Sequence, residues 1–101
     1  MADQELLTDS VLAQGLAALP DWARDDAALV RAIEAPSFPA AIDLVRDVAL
    51  HAESVNHHPD IDIRWRTVTF RVSTHSAGGL TALDLALAAA IDRLAAQISQ
   101  Q

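Results

Sequence analysis

Ile61-Asp62-Ile63-Arg64-Trp65-Arg66-Thr67-Val68-Thr69-Phe70-Arg71-Val72-Ser73-Thr74-His75 is the stretch whose reading settles how this chain folds. Apolar and polar residues alternate along it with a period of two, the pattern of strands that bury one face. The apolar parity changes partway, from odd positions (Ile61, Ile63, Trp65) to even ones (Val68, Phe70, Val72). A two-residue hairpin turn at Arg66-Thr67 accounts for the change, because it sets Trp65 opposite Val68, Ile63 opposite Phe70 and Ile61 opposite Val72. All three pairs then share one face, and Asp62 meets Arg71 on the other.

The segments on either side read as helices. Upstream, Ser37-Phe38-Pro39 is a helix start, with Ser37 as N-cap and Pro39 in the first turn, where its missing N–H costs nothing. Ile42, Val45, Val48, Ala49, Ala52 and Val55 form the apolar stripe of that helix. It should end near His57, since Pro59 disfavours helical backbone at His58. Downstream, Ser76-Ala77-Gly78-Gly79 is a loop, and a last helix begins at Thr81 with Asp84 as a capping-box carboxylate and Leu80 placed to staple onto Leu85. That helix runs through Leu87, Ile91, Leu94 and Ile98. Nearer the N-terminus, Thr8 caps a helix bearing Val11, Leu12, Leu16 and Leu19, which Pro20 stops. From Asp21 to Ala35 the pattern is weaker: Trp22 and Leu29 to Ile33 fit two short strands around a turn at Asp25-Asp26, while Ala27-Ala28 also suits a helix. The sum is an α+β domain, an antiparallel sheet with helices on one face.

Composition bounds what such a domain does. With 101 residues the chain makes one domain, and 51% hydrophobic but only 4% aromatic residues means a thin core of Ala, Leu, Val and Ile, of the kind that gains stability by pairing with a copy of itself. Seven basic against fourteen acidic residues give a net charge of −7, with no Lys/Arg cluster to neutralise phosphates, which argues against direct nucleic-acid binding. Zero cysteines exclude disulfides, thiolate nucleophiles and Cys-based zinc sites. The acidic start, Met1-Ala2-Asp3-Gln4-Glu5, lacks the order of a signal peptide, and the apolar run from Leu80 to Ile91 is too short to cross a bilayer, so the expectation is a cytoplasmic protein with no membrane contact.

The chemistry-bearing residues gather at the two ends of the hairpin: Glu53-Ser54-Val55-Asn56-His57-His58-Pro59 and Ser73-Thr74-His75. Imidazole is the side chain suited to moving protons near neutrality. Glu53 and His57, four apart on a helix, share a face and can pair, either to orient the ring or as an ordinary surface contact. Pairing Ile61 with Val72 brings residues 57–59 and 73–75 to the same sheet edge, around a common cavity. Adjacent His57 and His58 diverge where the helix breaks, and the i, i+4 histidine pair of helical zinc sites is missing, so no metal is expected. His51 stands on the helix without a partner in sequence. No GxSxG, P-loop or dinucleotide fingerprint occurs.

Glu53-xxx-His57-His58-Pro59, the aromatic Trp65, Ser73-Thr74-His75, Gly79-Leu80-Thr81 and Asp84 together resemble the pterin-4a-carbinolamine dehydratases. The resemblance takes in most of the chain, including Leu7-Thr8, Trp22 and Phe38. It implies an α-β-β-α-β-β-α fold, a four-stranded antiparallel sheet carrying three helices on one face. It implies dehydration of 4a-hydroxytetrahydrobiopterin to quinonoid dihydrobiopterin in tetrahydrobiopterin recycling, with the pterin as substrate and no cofactor. His57, His58 and His75 take the catalytic positions. Glu53, Asn56, Ser73, Thr74, Ser76 and Asp84 make up the substrate-binding set, and a homodimer or homotetramer is expected. Loss of the C4a hydroxyl needs an acid for the leaving oxygen and a base for a ring N–H, tasks that two imidazoles can share. The working assignment gives proton transfer to His57 and His75 and pterin holding to His58. The alternatives are a non-catalytic dimerisation or coactivator module on the same fold, or a pterin-binding protein of another pathway.

Overall fold

The computed structural model describes residues 5–98. Residues 1–4, on which the absence of an export signal was argued, lie outside them. Helix α1 (Asp9–Ala17) is followed by strands β1 (Ala23–Asp25) and β2 (Ala28–Glu34), helix α2 (Phe38–Val55), strands β3 (Asp60–Arg64) and β4 (Thr67–Val72), a single 3-10 turn over His75–Ala77, and helix α3 (Ala82–Ile98). The caps expected for the first two helices form. Thr8 accepts from the Val11 N–H and Ser37 from the Ala40 N–H, each satisfying a donor that the helix itself leaves free.

The weak region between Asp21 and Ala35 is a hairpin, with Asp25 paired to Ala28 across a tight turn in which Asp26 adopts a left-handed φ of 56°. The sheet runs β1-β2-β4-β3, antiparallel throughout. Its register stacks core residues into a ladder: Leu29 faces Val72, Ile33 faces Val68, Ile61 faces Phe70 and Ile63 faces Val68. Phe70, Val68, Val72 and Leu29 lose all solvent contact under the helices. A fully buried phenylalanine of this kind contributes roughly 1.5–3 kcal/mol. Arg31 also points to this face, where it pairs with Asp92 of α3 (2.5 Å), a carboxylate that also accepts from the Trp22 indole N–H (2.7 Å).

Two details differ from the sequence reading. The β3–β4 turn is Trp65-Arg66, not Arg66-Thr67, so every pair slides by two and Asp62 faces Thr69 while Asp60 faces Arg71. A slide of two keeps each side chain on its original face, which is why the alternation could not reveal it. Trp65 thereby leaves the core ladder: it takes the positive φ (54°) that hairpin turns demand, stands 72% exposed, and lies under the Arg66 guanidinium at 4.9 Å. On α2 the buried face is Ala40, Ala41, Leu44, Val48 and Ala52, while Ile42, Ala49 and Val55 of the expected stripe face outward. Small alanines on α2 and α3 (Ala41, Ala52, Ala88, Ala95) fill the interior, in keeping with the alanine-rich core expected from composition. The arrangement leaves the α2 C-terminus, the end of β4 and the α3 N-terminus to carry the residues described next.

Candidate active site

Helix α2 ends in a Schellman arrangement. Asn56 turns left-handed (φ 52°, ψ 43°), its N–H donates to the Glu53 carbonyl (3.3 Å), and the His57 N–H donates to the Ala52 carbonyl (3.1 Å). Asparagine tolerates that conformation better than other residues with a side chain, and Pro59 prevents the helix from resuming. His57 therefore leaves the helical path. Instead of meeting Glu53 four residues back, its ring reaches across to α3, where Nε2 lies 2.7 Å from Oδ1 of Asp84.

Asp84 has no solvent exposure at all. A carboxylate so placed needs donors, and the local sequence supplies them. Thr81 is the N-cap of α3: its Oγ1 accepts from the Leu83 N–H (3.2 Å), and Oδ2 of Asp84 accepts in return from the Thr81 N–H (2.9 Å). The capping box read from sequence is thus present, and its carboxylate does a second job through Oδ1. Thr74, at the end of β4, donates its hydroxyl to the same Oδ2 (2.8 Å) and lies 2.8 Å from the Thr81 hydroxyl. Because the Thr81 N–H and the Thr74 hydroxyl both donate to Oδ2, the carboxyl group is the acceptor of this cluster, and the hydroxyl protons can be ordered. The Thr74 proton goes to Asp84, so the Thr81 hydroxyl donates to Thr74, and His57 donates Nε2–H to Asp84. Nδ1 of His57 makes no hydrogen bond among the described residues.

His58 continues outward and places Nε2 2.7 Å from Oε1 of Glu53. This is the pair that sequence spacing had given to His57, moved by one residue through the left-handed turn at Asn56. His75 opens the 3-10 turn, is exposed, and makes no side-chain hydrogen bond among the described residues. It borders a hollow of about 260 Å³ whose walls include Asp60, Arg71, Ser73 and Gly78. Ser73 donates its hydroxyl to the Ala27 carbonyl (2.6 Å), which ties the end of β4 to the β1–β2 turn. Ser76 and Asn56 are exposed. His57 and His58 are not among the walls of the hollow beside His75. The contact between the two histidine clusters runs through Asp84 and Thr74. Thr81, read from sequence only as the start of α3, also orders the site through its hydroxyl, which lies 2.8 Å from that of Thr74. Among the described residues no group of three His, Cys, Asp or Glu side chains is arranged to hold a metal ion.

Residues 5–94 match the profile of the family described as pterin 4 alpha carbinolamine dehydratase. This chain belongs to that family. A dehydratase-family protein of Nocardia farcinica, provisionally named a pterin-4-alpha-carbinolamine dehydratase, is 60% identical over 90% of this chain and 96% of its own length. One of Mycobacterium tuberculosis, named in the same way, is 53% identical over 88% of this chain and 95% of its own. Among solved structures, a transcriptional coactivator/pterin dehydratase from Brucella melitensis superposes with a TM-score of 0.85 at 32% identity, covering 88% of this chain and 97% of that one. A pterin dehydratase-like RuBisCO assembly factor of the alpha-carboxysome shares the fold, with a TM-score of 0.61 at 20% identity over 73% of this chain and 86% of its own.

Proposed function

We propose that this chain dehydrates 4a-hydroxytetrahydrobiopterin to quinonoid dihydrobiopterin, eliminating water by histidine acid–base catalysis, and so serves tetrahydrobiopterin recycling in the cytoplasm. The observation that carries the reading is the His57–Asp84 pair: an imidazole anchored at one nitrogen by a buried carboxylate and, among the described residues, without a hydrogen bond at the other. A carboxylate in that position holds the ring and stabilises the imidazolium that forms when a proton is taken up, as it does in hydrolase triads. His57 accepts the ring N–H proton. His75, exposed and unconstrained at the far strand end, protonates the departing C4a oxygen as water. His58, steadied by Glu53, contacts the pterin, with Asn56, Ser73 and Ser76 around it, while Thr74, buried and bonded within the protein, acts behind them. Each proton transfer contributes roughly 10²–10⁴-fold.

A dehydration assay on 4a-hydroxytetrahydropterin decides the reading. His57→Ala and His75→Ala are each expected to lower turnover by about 10²-fold or more. Near-normal turnover in both would sink the assignment.

The protein works as a homodimer or homotetramer. Support comes from β3, an edge strand with one side of its backbone unpaired, from Ile63 (38% exposed) and Trp65 at its end, and from Phe38 and Ile42 standing out on α2 (49% and 43%). The same apolar surface favours a second reading, in which the fold docks a protein partner; the Brucella protein of the same fold is a transcriptional coactivator/pterin dehydratase. Among the described residues no helix is long and apolar enough to cross a membrane.

A further inference from the structure

We propose that Thr74 is the positioning residue that couples the two histidine-bearing segments, its hydroxyl fixing the carboxylate that holds His57 while its backbone fixes the turn that carries His75. The side chain lies 3% exposed between β4 and α3. Its O–H donates to Oδ2 of Asp84 at 2.8 Å, and its oxygen receives the Thr81 hydroxyl at 2.8 Å. Its main chain is engaged as fully. The Thr74 N–H donates to the Gly79 carbonyl (3.0 Å), and the Thr74 carbonyl accepts from Ala77 (3.0 Å), Gly78 (3.0 Å) and Gly79 (3.3 Å). Those bonds close the loop around His75, with Gly78 supplying its left-handed residue (φ 77°). A displacement of Thr74 therefore moves both imidazoles, by way of Asp84 for one and directly along the chain for the other.

The hydroxyl also sets the proton order. Oδ2 of Asp84 receives two donors, Thr74 O–H and Thr81 N–H, which leaves Oδ1 for His57 alone. With the Thr74 donor removed, the carboxylate can rotate, Oδ1 and Oδ2 become interchangeable to the Thr81 amide, and the His57 ring loses the single anchor that selects its Nε2–H tautomer. Valine matches threonine in shape without the donor, and serine restores the donor without the methyl group.

The kinetic part of this inference rests on the dehydratase reading; the spectroscopic part does not. In the full chain, Thr74→Val is expected to lower kcat about tenfold with KM changed less than twofold. In ¹⁵N-resolved NMR its His57 ring nitrogens pass from the single Nε2–H pattern to an averaged one, and Thr74→Ser restores both. A second measurement needs no variant. The wild-type Thr74 hydroxyl proton, enclosed and hydrogen-bonded to a carboxylate, exchanges slowly enough with water to give a resolved resonance. A folded Thr74→Val chain with wild-type kcat and wild-type His57 ring shifts overturns the proposal, as does a Thr74 hydroxyl in fast exchange. A wild-type chain without dehydratase activity overturns the reading of function instead, and leaves the ring and hydroxyl signals to decide on Thr74.

Discussion

His57 and His58 are consecutive, and each has Nε2 2.7 Å from a carboxylate oxygen, yet the two pairs are physically unlike. The side chains of His57 and Asp84 are 11% and 0% exposed; those of His58 and Glu53 are 55% and 80% exposed. Around Asp84 every lone pair in use faces a fixed donor, whereas Glu53 can trade His58 for water at little cost. Equal distances therefore hide very different strengths. What separates them is the number of enclosed partners that must be left unsatisfied if the pair breaks, and the left-handed turn at Asn56 decides which imidazole goes where.

The sharpest way to break this contrast is Asp84→Asn. The amide keeps the shape, but one of its ends is now a donor facing either His57 or the Thr74 and Thr81 donors. We expect a loss of about 1–3 kcal/mol in urea unfolding, and turnover lower by about 10²-fold or more. Asn56→Ala follows, at about 1 kcal/mol, because alanine is strained in the left-handed region; Asn56→Gly should stay within a few tenths of wild type in the same measurement. Smallest is Glu53→Gln, expected to change stability by less than about 0.5 kcal/mol and to respond little to added salt. If Glu53→Gln cost as much as Asp84→Asn, the distinction between the two pairs would fail.

The sequence carried the element order, because strand alternation, Ser37, Thr8 and the Thr81–Asp84 spacing are local signals with local physics. It misplaced the hairpin turn by one residue, since an aromatic at Trp65 looks like a core side chain and a slide of two leaves the alternation unchanged. On α2 it included Val48 and Ala52, which are buried, but extended the stripe to Ile42 and Val55, which are not, and left out Ala40, Ala41 and Leu44. Ile42 and Val55 outweigh Ala40 and Ala41 in hydrophobicity, but close helix packing uses the small residues. At the site, all three histidines and Asp84 could be picked out one by one. The His57–Asp84 contact could not, because it joins residues 27 apart through a turn whose handedness depends on Asn56. Thr74 showed as a member of a motif, not as the joint between two segments.

The chain's two tryptophans give it a built-in pair of optical reporters. Trp22 is 6% exposed with its indole N–H donated to Asp92, and Trp65 juts from the hairpin tip at 72%. Intrinsic fluorescence is thus a sum of a shielded, blue-shifted emitter and a water-bathed one open to collisional quenchers. A Trp65→Phe chain would leave a single chromophore reading out collapse of the helical layer, and a Trp22→Phe chain one that registers anything settling over the edge strand.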